Sequence, residues 1–180
     1  MCGIAAWVSE DRLVEHAPLE RAQGELRARG PDGEGVFVSG DRRFGLAHTR
    51  LALRGGPSGA QPLLAADGRS ALVCNGEIYD TSALRDELAH AGLRPRTSSD
   101  CELLLLRYQE RGEDLLRGLV GEYAFVLADL QERRVIAARD PFGVKPLYYV
   151  QHGGELCLAS SPRALFVLGA PQRIDERALF

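Results

Sequence analysis

Residues 1–8, MCGIAAWV, put a cysteine directly behind the initiator methionine and follow it with a glycine and an apolar run. Removal of Met1, the usual outcome when the second residue is small, would leave Cys2 with a thiol and a free α-amine in one residue. A thiol with a pKa of about 8.5 needs a base near neutrality, and an α-amine with a pKa of about 7.7–8.0 is matched to that task. The plainer reading makes Cys2 a small residue at the start of a buried strand, residues 3–8. What else the chain supplies around such a nucleophile decides between the two.

The 180 residues suffice for one domain with a full core, and 45% apolar with 26% charged residues is the balance of an ordinary soluble globular protein. A net charge of -3 gives no field to draw nucleic acid or an anionic membrane. No apolar stretch is long enough to span a bilayer and no basic, then apolar leader opens the chain, so the expected location is cytoplasmic. The four cysteines, Cys2, Cys74, Cys101 and Cys157, form no C-x-x-C pair. Neither a zinc site nor a disulfide framework is expected, and at least three of the four read as plain buried thiols.

Outward from the first strand, residues 18–30 read as a helix with Pro18 at its start and Gly30 at its end. Residues 30–35 (GPDGEG) read as a turn, and 36–39 with 43–53 as a hairpin. A strand over 70–76 ends at Asn75-Gly76. Helices follow at 80–92, stopped by Gly92, and at 98–112, where Ser99 and Glu102 fit a capping box. The stretches 123–130, 133–140 and 146–160 are strands and turns. Pairs of hairpin strands between helices predict stacked antiparallel sheets covered by helices, an α+β layered architecture. Residues 160–169 predict a helix with Pro162 in its first turn, and 174–180 the opening of another, capped by Asp175. Because that last helix has no end, the chain is expected to be the front part of a longer polypeptide.

A thiolate that attacks a carbonyl carbon needs donors aimed at the oxygen that becomes charged. The Asn75 side-chain amide and the Gly76 N–H can converge to form such a site, although Asn-Gly is also a common hairpin turn. Arg50, beside the glycine-rich stretch 54–59, offers a planar fork suited to a carboxylate. Asp100 sits in the first turn of a helix, where a carboxylate is stabilised by the helix dipole with or without a ligand.

Together, MCGI (1–4), RGPDGEG (29–35), AHTRL (47–51), QPL (61–63), NGEIYD (75–80), SSDCE (98–102), GEYAFVLAD (121–129) and RDPFGVKPLYY (139–149) resemble the N-terminal glutaminase domain of glutamine-hydrolysing asparagine synthetases. These are class II glutamine amidotransferases, and the likeness runs from about Cys2 to Phe166. The resemblance implies an N-terminal nucleophile (Ntn) hydrolase fold, a four-layer αββα sandwich of two antiparallel sheets, with residues 1–180 as the glutaminase domain. It implies Cys2 as nucleophile with its α-amine as base, and Asn75 and Gly76 as the oxyanion hole. Arg50 would grip the glutamine α-carboxylate, and Glu77 and Asp100 would hold the α-ammonium. Metal ligands are not among the implied residues. The family's ATP-binding loop is missing here, so ATP and magnesium are expected only in a synthetase domain outside this sequence. The implied partners are L-glutamine and that C-terminal domain or subunit, with a homodimer left open.

The chain departs from the family pattern at Ala28 in RARGPD, Thr49 in HTRLAL, and Glu122 and Tyr123 in GEYAF. None of these carries an implied catalytic role. The acceptor of the ammonia is open: asparagine synthesis from aspartate leads, with another acceptor or a non-catalytic glutamine-binding module as alternatives.

Overall fold

The computed structural model describes residues 1–52 and 59–172. The first apolar run is strand β1 (Gly3–Ser9), central in a five-stranded sheet. Helix α1 (His16–Leu26) follows, then a 3-10 turn at Arg27–Arg29, β2 (Gly33–Val38) and β3 (Phe44–Arg50). A short β4 (Leu63–Leu64) leads into β5 (Ser70–Ile78), α2 (Thr81–His90) and α3 (Asp100–Arg111). The remainder is β6 (Gly121–Asp129), β7 (Arg134–Arg139), β8 (Tyr148–His152), β9 (Glu155–Ala159) and α4 (Pro162–Val167). The sheet orders are β2-β3-β1-β9-β8 and β4-β5-β6-β7. Every strand pairing within them is antiparallel.

Side-chain alternation explains the layering. Ile4 and Ala6 of β1 meet Ala71 and Val73 of β5 and Ala124 and Val126 of β6 in a core between the sheets. The intervening residues, Ala5 and Trp7, point the other way and pack with Leu19, Ala22 and Leu26 of α1 and with Ala164 and Leu165 of α4. On the second sheet, Leu72, Cys74, Phe125 and Leu127 pack against Leu84 and Leu88 of α2 and Leu103 and Leu104 of α3. Both faces of each central strand are therefore covered, which is why these antiparallel strands read as continuous apolar runs rather than alternating ones. The expected four layers, helices–sheet–sheet–helices, are those observed.

Four local expectations change. Helix α1 begins two residues before Pro18 and gives way to the 3-10 turn at Arg27. The stretch read as a turn, GPDGEG, already enters β2 at Gly33, because Gly33 and Glu34 pair with Arg50 and Thr49. Asn75-Gly76 is no turn: β5 runs through it to Ile78, with Asn75 opposite Ala124 and Gly76 opposite Tyr123. At α3 the capping box does not form. Ser99 is the N-cap by backbone only, and Glu102 reaches further back to the Arg96 and Thr97 N–H groups at 3.1 and 2.7 Å. The helix expected after residue 174 lies outside the described residues.

Candidate active site

The alternation that builds the inter-sheet core also builds the site. On β3, Leu46 faces the core between the sheets, so His48 and Arg50 fall on the same side. By the same rule Asn75 and Glu77 follow Ala71 and Val73, and Cys2 precedes Ile4. In the β1–β3 register Gly3 opposes Thr49, and one further step brings Cys2 opposite Arg50. At this end of the sandwich the two sheets open into a cavity of about 590 Å³. Cys2, Arg50, Asn75, Gly76, Glu77 and Asp100 all line it.

Cys2 is held from three directions. Its thiol donates to the Leu51 carbonyl at 3.8 Å and accepts the Leu51 N–H at 3.4 Å. Its own carbonyl accepts from Arg29 Nε at 3.2 Å. Burial pushes the thiol pKa up, with the Leu51 contact and the charge of Arg50 working against that. Neutral thiol is thus the resting form, and a base is needed to make it a nucleophile. Met1 is 51% exposed, which leaves it accessible for removal.

The free edge of β5 supplies donors. Backbone groups of successive strand residues point to opposite edges. The Ser70 carbonyl accepts from Ala65 beyond β4, whereas the Arg69 carbonyl accepts from Leu130 beside β6. Even-numbered residues therefore face the β4 edge, and β4 ends its pairing at Leu72. Beyond it, the Cys74 N–H donates to Gln61 Oε1 at 2.6 Å, and the Ile78 N–H donates to Asp100 Oδ2 at 2.8 Å. Between these two capped positions the Gly76 N–H points outward, and among the described residues nothing accepts from it. Beside it Asn75 is only 2% exposed, and its Nδ2 is buried without a hydrogen-bond partner. Two adjacent donors with no acceptor among the described residues, on the wall of the cavity that Cys2 also lines, mark a place suited to an oxygen that a ligand would supply.

Charge is distributed around this pair. Arg50 supplies a cation opposite Cys2 in the extended register, and its guanidinium approaches the Gly59 backbone so closely that a Cβ there would lie 2.6 Å from Nη2. Glu77 and Asp100 supply carboxylates. Asp100 is partly committed, because Oδ1 accepts the Cys101 N–H at 3.0 Å in addition to the Ile78 bond on Oδ2; each oxygen keeps a second lone pair. With a thiol, a cation, carboxylates and two oxygen-directed donors, the cavity can seat a small zwitterion and polarise a carbonyl between its ends.

Five residues were given no role by the sequence reading. Gln61, visible only as part of QPL, lines the cavity and caps β5. Glu122 and Lys145 form an ion pair at 3.0 Å on the cavity wall, which Tyr79 also lines. His48, inside AHTRL, is 1% exposed, and burial lowers its pKa to about 4 against the Cys74 carbonyl contact that would raise it. Among the described residues no group of three or more His, Cys, Asp or Glu could hold a metal ion.

The profile of a family described as a glutamine amidotransferase domain matches residues 1–180. A probable glutamine-hydrolysing asparagine synthetase of Dictyostelium discoideum is 40% identical over 92% of the chain and 30% of its own length. Glutamine-hydrolysing asparagine synthetase 1 of Bacillus subtilis is 34% identical over 99% of the chain and 29% of its own length. The amidase chry2 of Gibberella zeae is also 34% identical, over 99% of the chain and 28% of itself. The chain thus spans about 30% of the length of these relatives. Among solved structures, the glutamine phosphoribosylpyrophosphate amidotransferase of B. subtilis, complexed with ADP and GMP, superposes with a TM-score of 0.74 at 26% identity, over 93% of the chain and 44% of that structure. Two antiparallel sheets between helices, a cysteine at the second position lining one cavity with two donors that find no acceptor among the described residues, and a family match over the full sequence lead to one conclusion: the chain belongs to the glutamine amidotransferase domain family.

Proposed function

We propose that this chain hydrolyses L-glutamine to glutamate and ammonia through a γ-glutamyl thioester on Cys2. The observation that carries the reading is the buried, partnerless Asn75 Nδ2 beside the outward Gly76 N–H, on the wall of the cavity that holds Cys2. After removal of Met1, the freed α-amine of Cys2 takes the thiol proton, and the thiolate attacks the side-chain carboxamide carbon. The oxygen of the tetrahedral intermediate is stabilised by Asn75 and Gly76. The amine returns its proton to the leaving nitrogen, ammonia departs, and water cleaves the thioester. Arg50 meets the α-carboxylate of glutamine, and Glu77 and Asp100 meet its α-ammonium.

The ammonia then feeds an ATP-dependent amide synthesis carried by a further domain or a partner subunit, in keeping with the greater length of the relatives. Their names support aspartate as acceptor. The Gibberella amidase, as similar as the Bacillus synthetase, supports a second reading with a different acceptor. No cofactor is needed for the hydrolytic step. The four free thiols suit a reducing, cytoplasmic compartment, and among the described residues no helix is long and apolar enough to cross a membrane.

The direct test is the intact mass of the purified chain before and after a diazo-ketone glutamine analogue, with glutamate release measured beside it. The expected result is loss of Met1, a single adduct mapping to Cys2, and glutamate release abolished in Cys2→Ala. Glutamate release that survives Cys2→Ala would sink the reading.

A further inference from the structure

Gln61 stands outside the groups assigned above, yet it is tied to both sides of the cavity. Its side-chain amide lies along the β5 edge just beyond the end of β4. Oε1 accepts the Cys74 N–H at 2.6 Å, and Nε2 donates to the Cys74 carbonyl at 3.1 Å. This is the two-bond pairing that a neighbouring strand residue would make, supplied by one side chain. Nε2 also lies 3.8 Å from Cys101 Sγ, one residue beyond Asp100 at the start of α3. The backbone of Gln61 is fixed from the opposite side. A Cβ on Gly35 of β2 would fall 2.1 Å from the Gln61 carbonyl oxygen, so residue 61 rests directly on the edge of the sheet that carries Cys2 and Arg50. Gly35 is in turn tied to α1, its carbonyl accepting from Gln23 Nε2 at 2.9 Å.

We propose that Gln61 is a positioning residue, whose amide clamps β5 at Cys74 and so holds the Asn75 and Gly76 donors in place opposite Cys2. The inference rests on the glutaminase reading and deepens it. An edge whose N–H and C=O are unpaired can shift along its length, and displacement of a reacting group by about 1 Å can cost a factor of about 10² in rate. Substrate affinity comes mainly from Arg50 on β3, Asp100 on α3 and Glu77, which lies on β5 three residues beyond the clamp, next to the Ile78 N–H that Asp100 holds independently of Gln61. Loss of the clamp therefore falls on turnover rather than on binding.

The test uses the whole chain with Gln61→Leu, which keeps most of the side-chain volume and removes both bonds. Glutamine turnover is expected to fall by about 10-fold or more in kcat with KM within about 3-fold. Amide hydrogen exchange at Cys74 is expected to quicken by at least about 10-fold. Gln61→Glu, which retains an acceptor for the Cys74 N–H, restores most of that protection. An unchanged kcat in the folded variant, or a KM that rises while kcat holds, overturns the proposal. Should Gln61→Leu fail to fold, Gln61→Glu carries the kinetic test, with kcat lowered and KM preserved because the donor to the Cys74 carbonyl is gone. If the wild-type chain itself releases no glutamate, the glutaminase reading fails separately. Exchange at Cys74 still decides the clamp in that case: quickened exchange in Gln61→Leu supports it and unchanged exchange rejects it.

Discussion

Asn75 is the residue at which stability and activity pull in opposite directions. A buried amide donor without a partner costs about 1–3 kcal/mol relative to a satisfied one, and Nδ2 of Asn75 is such a donor. In the proposed reaction the same group gains its partner only when the carboxamide oxygen becomes charged, which is where a donor is worth most. Asn75→Ala is therefore expected to lower kcat by about 10²-fold with little change in KM. Stability to urea should stay level or rise by about 1 kcal/mol, since the orphaned donor goes with the side chain. A variant that loses stability and keeps its turnover would show that Asn75 serves the fold instead. From the sequence, Cys2, Arg50, Asn75, Gly76, Glu77 and Asp100 were all legible as one set, because each is a chemically distinctive residue within a recognisable motif. Gln61 was not, since its part is played by an amide mimicking backbone, and nothing in the letters QPL announces that the neighbouring strand stops short.

At the scale of elements, β5 does two jobs that the sequence reading kept apart. It was expected to end at Asn75-Gly76, and a common turn dipeptide gave good local reason for that. Instead β6 pairs with it along its whole length to Ile78, and the long-range partner overrides the local preference. The glycine is needed for packing in that pairing: a Cβ at position 76 would lie 2.3 Å from the Glu122 carbonyl oxygen and 2.6 Å from the Tyr123 Cα, both backbone atoms of β6. Neither can rotate away, so Gly76→Ala must push β5 and β6 apart. The cost expected for such overpacking is about 1–3 kcal/mol, or about 2–10 °C in melting temperature for a chain of this size. Turnover should fall as well, because the displaced backbone carries the Gly76 N–H. A melting temperature equal to wild type would mean that the strands yield without cost and that the close approach has no structural meaning. The misread start of β2 has the same origin. GPDGEG carries strong turn residues, but Gly33 and Glu34 are drawn into pairing by β3, a contact that no window of local sequence contains.

For the whole molecule, the four-layer sandwich makes acid stability depend on one histidine. The sequence showed the layers through its continuous apolar runs, but it could not show that closing the sheets over AHTRL would bury an imidazole. His48 is 1% exposed, whereas His16, His90 and His152 lie at the surface. Burial, reinforced by the nearby positive charge of Arg50 and opposed by the Cys74 carbonyl, holds the His48 pKa at about 4 in the folded chain, against about 6.5 when unfolded. The folded state therefore keeps His48 neutral while the unfolded state takes up a proton, and stability must rise with pH between the two values. The contribution is fully present above about pH 6.5 and is lost progressively as pH falls toward 4, up to about 3 kcal/mol in total. Hydrogen-bonded carboxylates add a second loss at lower pH. Burial pushes the Glu102 carboxyl up, but bonds from Thr97 and Arg96 outweigh it and hold the pKa below its usual value, so that group begins to weaken the fold only near or below about pH 4.5. The two contributions separate in a variant. His48→Gln cannot titrate, so urea unfolding at pH 7, 6 and 5 should give it a shallower decline than wild type, by up to about 1.4 kcal/mol per pH unit in the lower part of that range. Parallel declines in the two proteins would mean that His48 titrates in the folded chain much as it does in the unfolded one, and that acid sensitivity arises from the carboxylates alone.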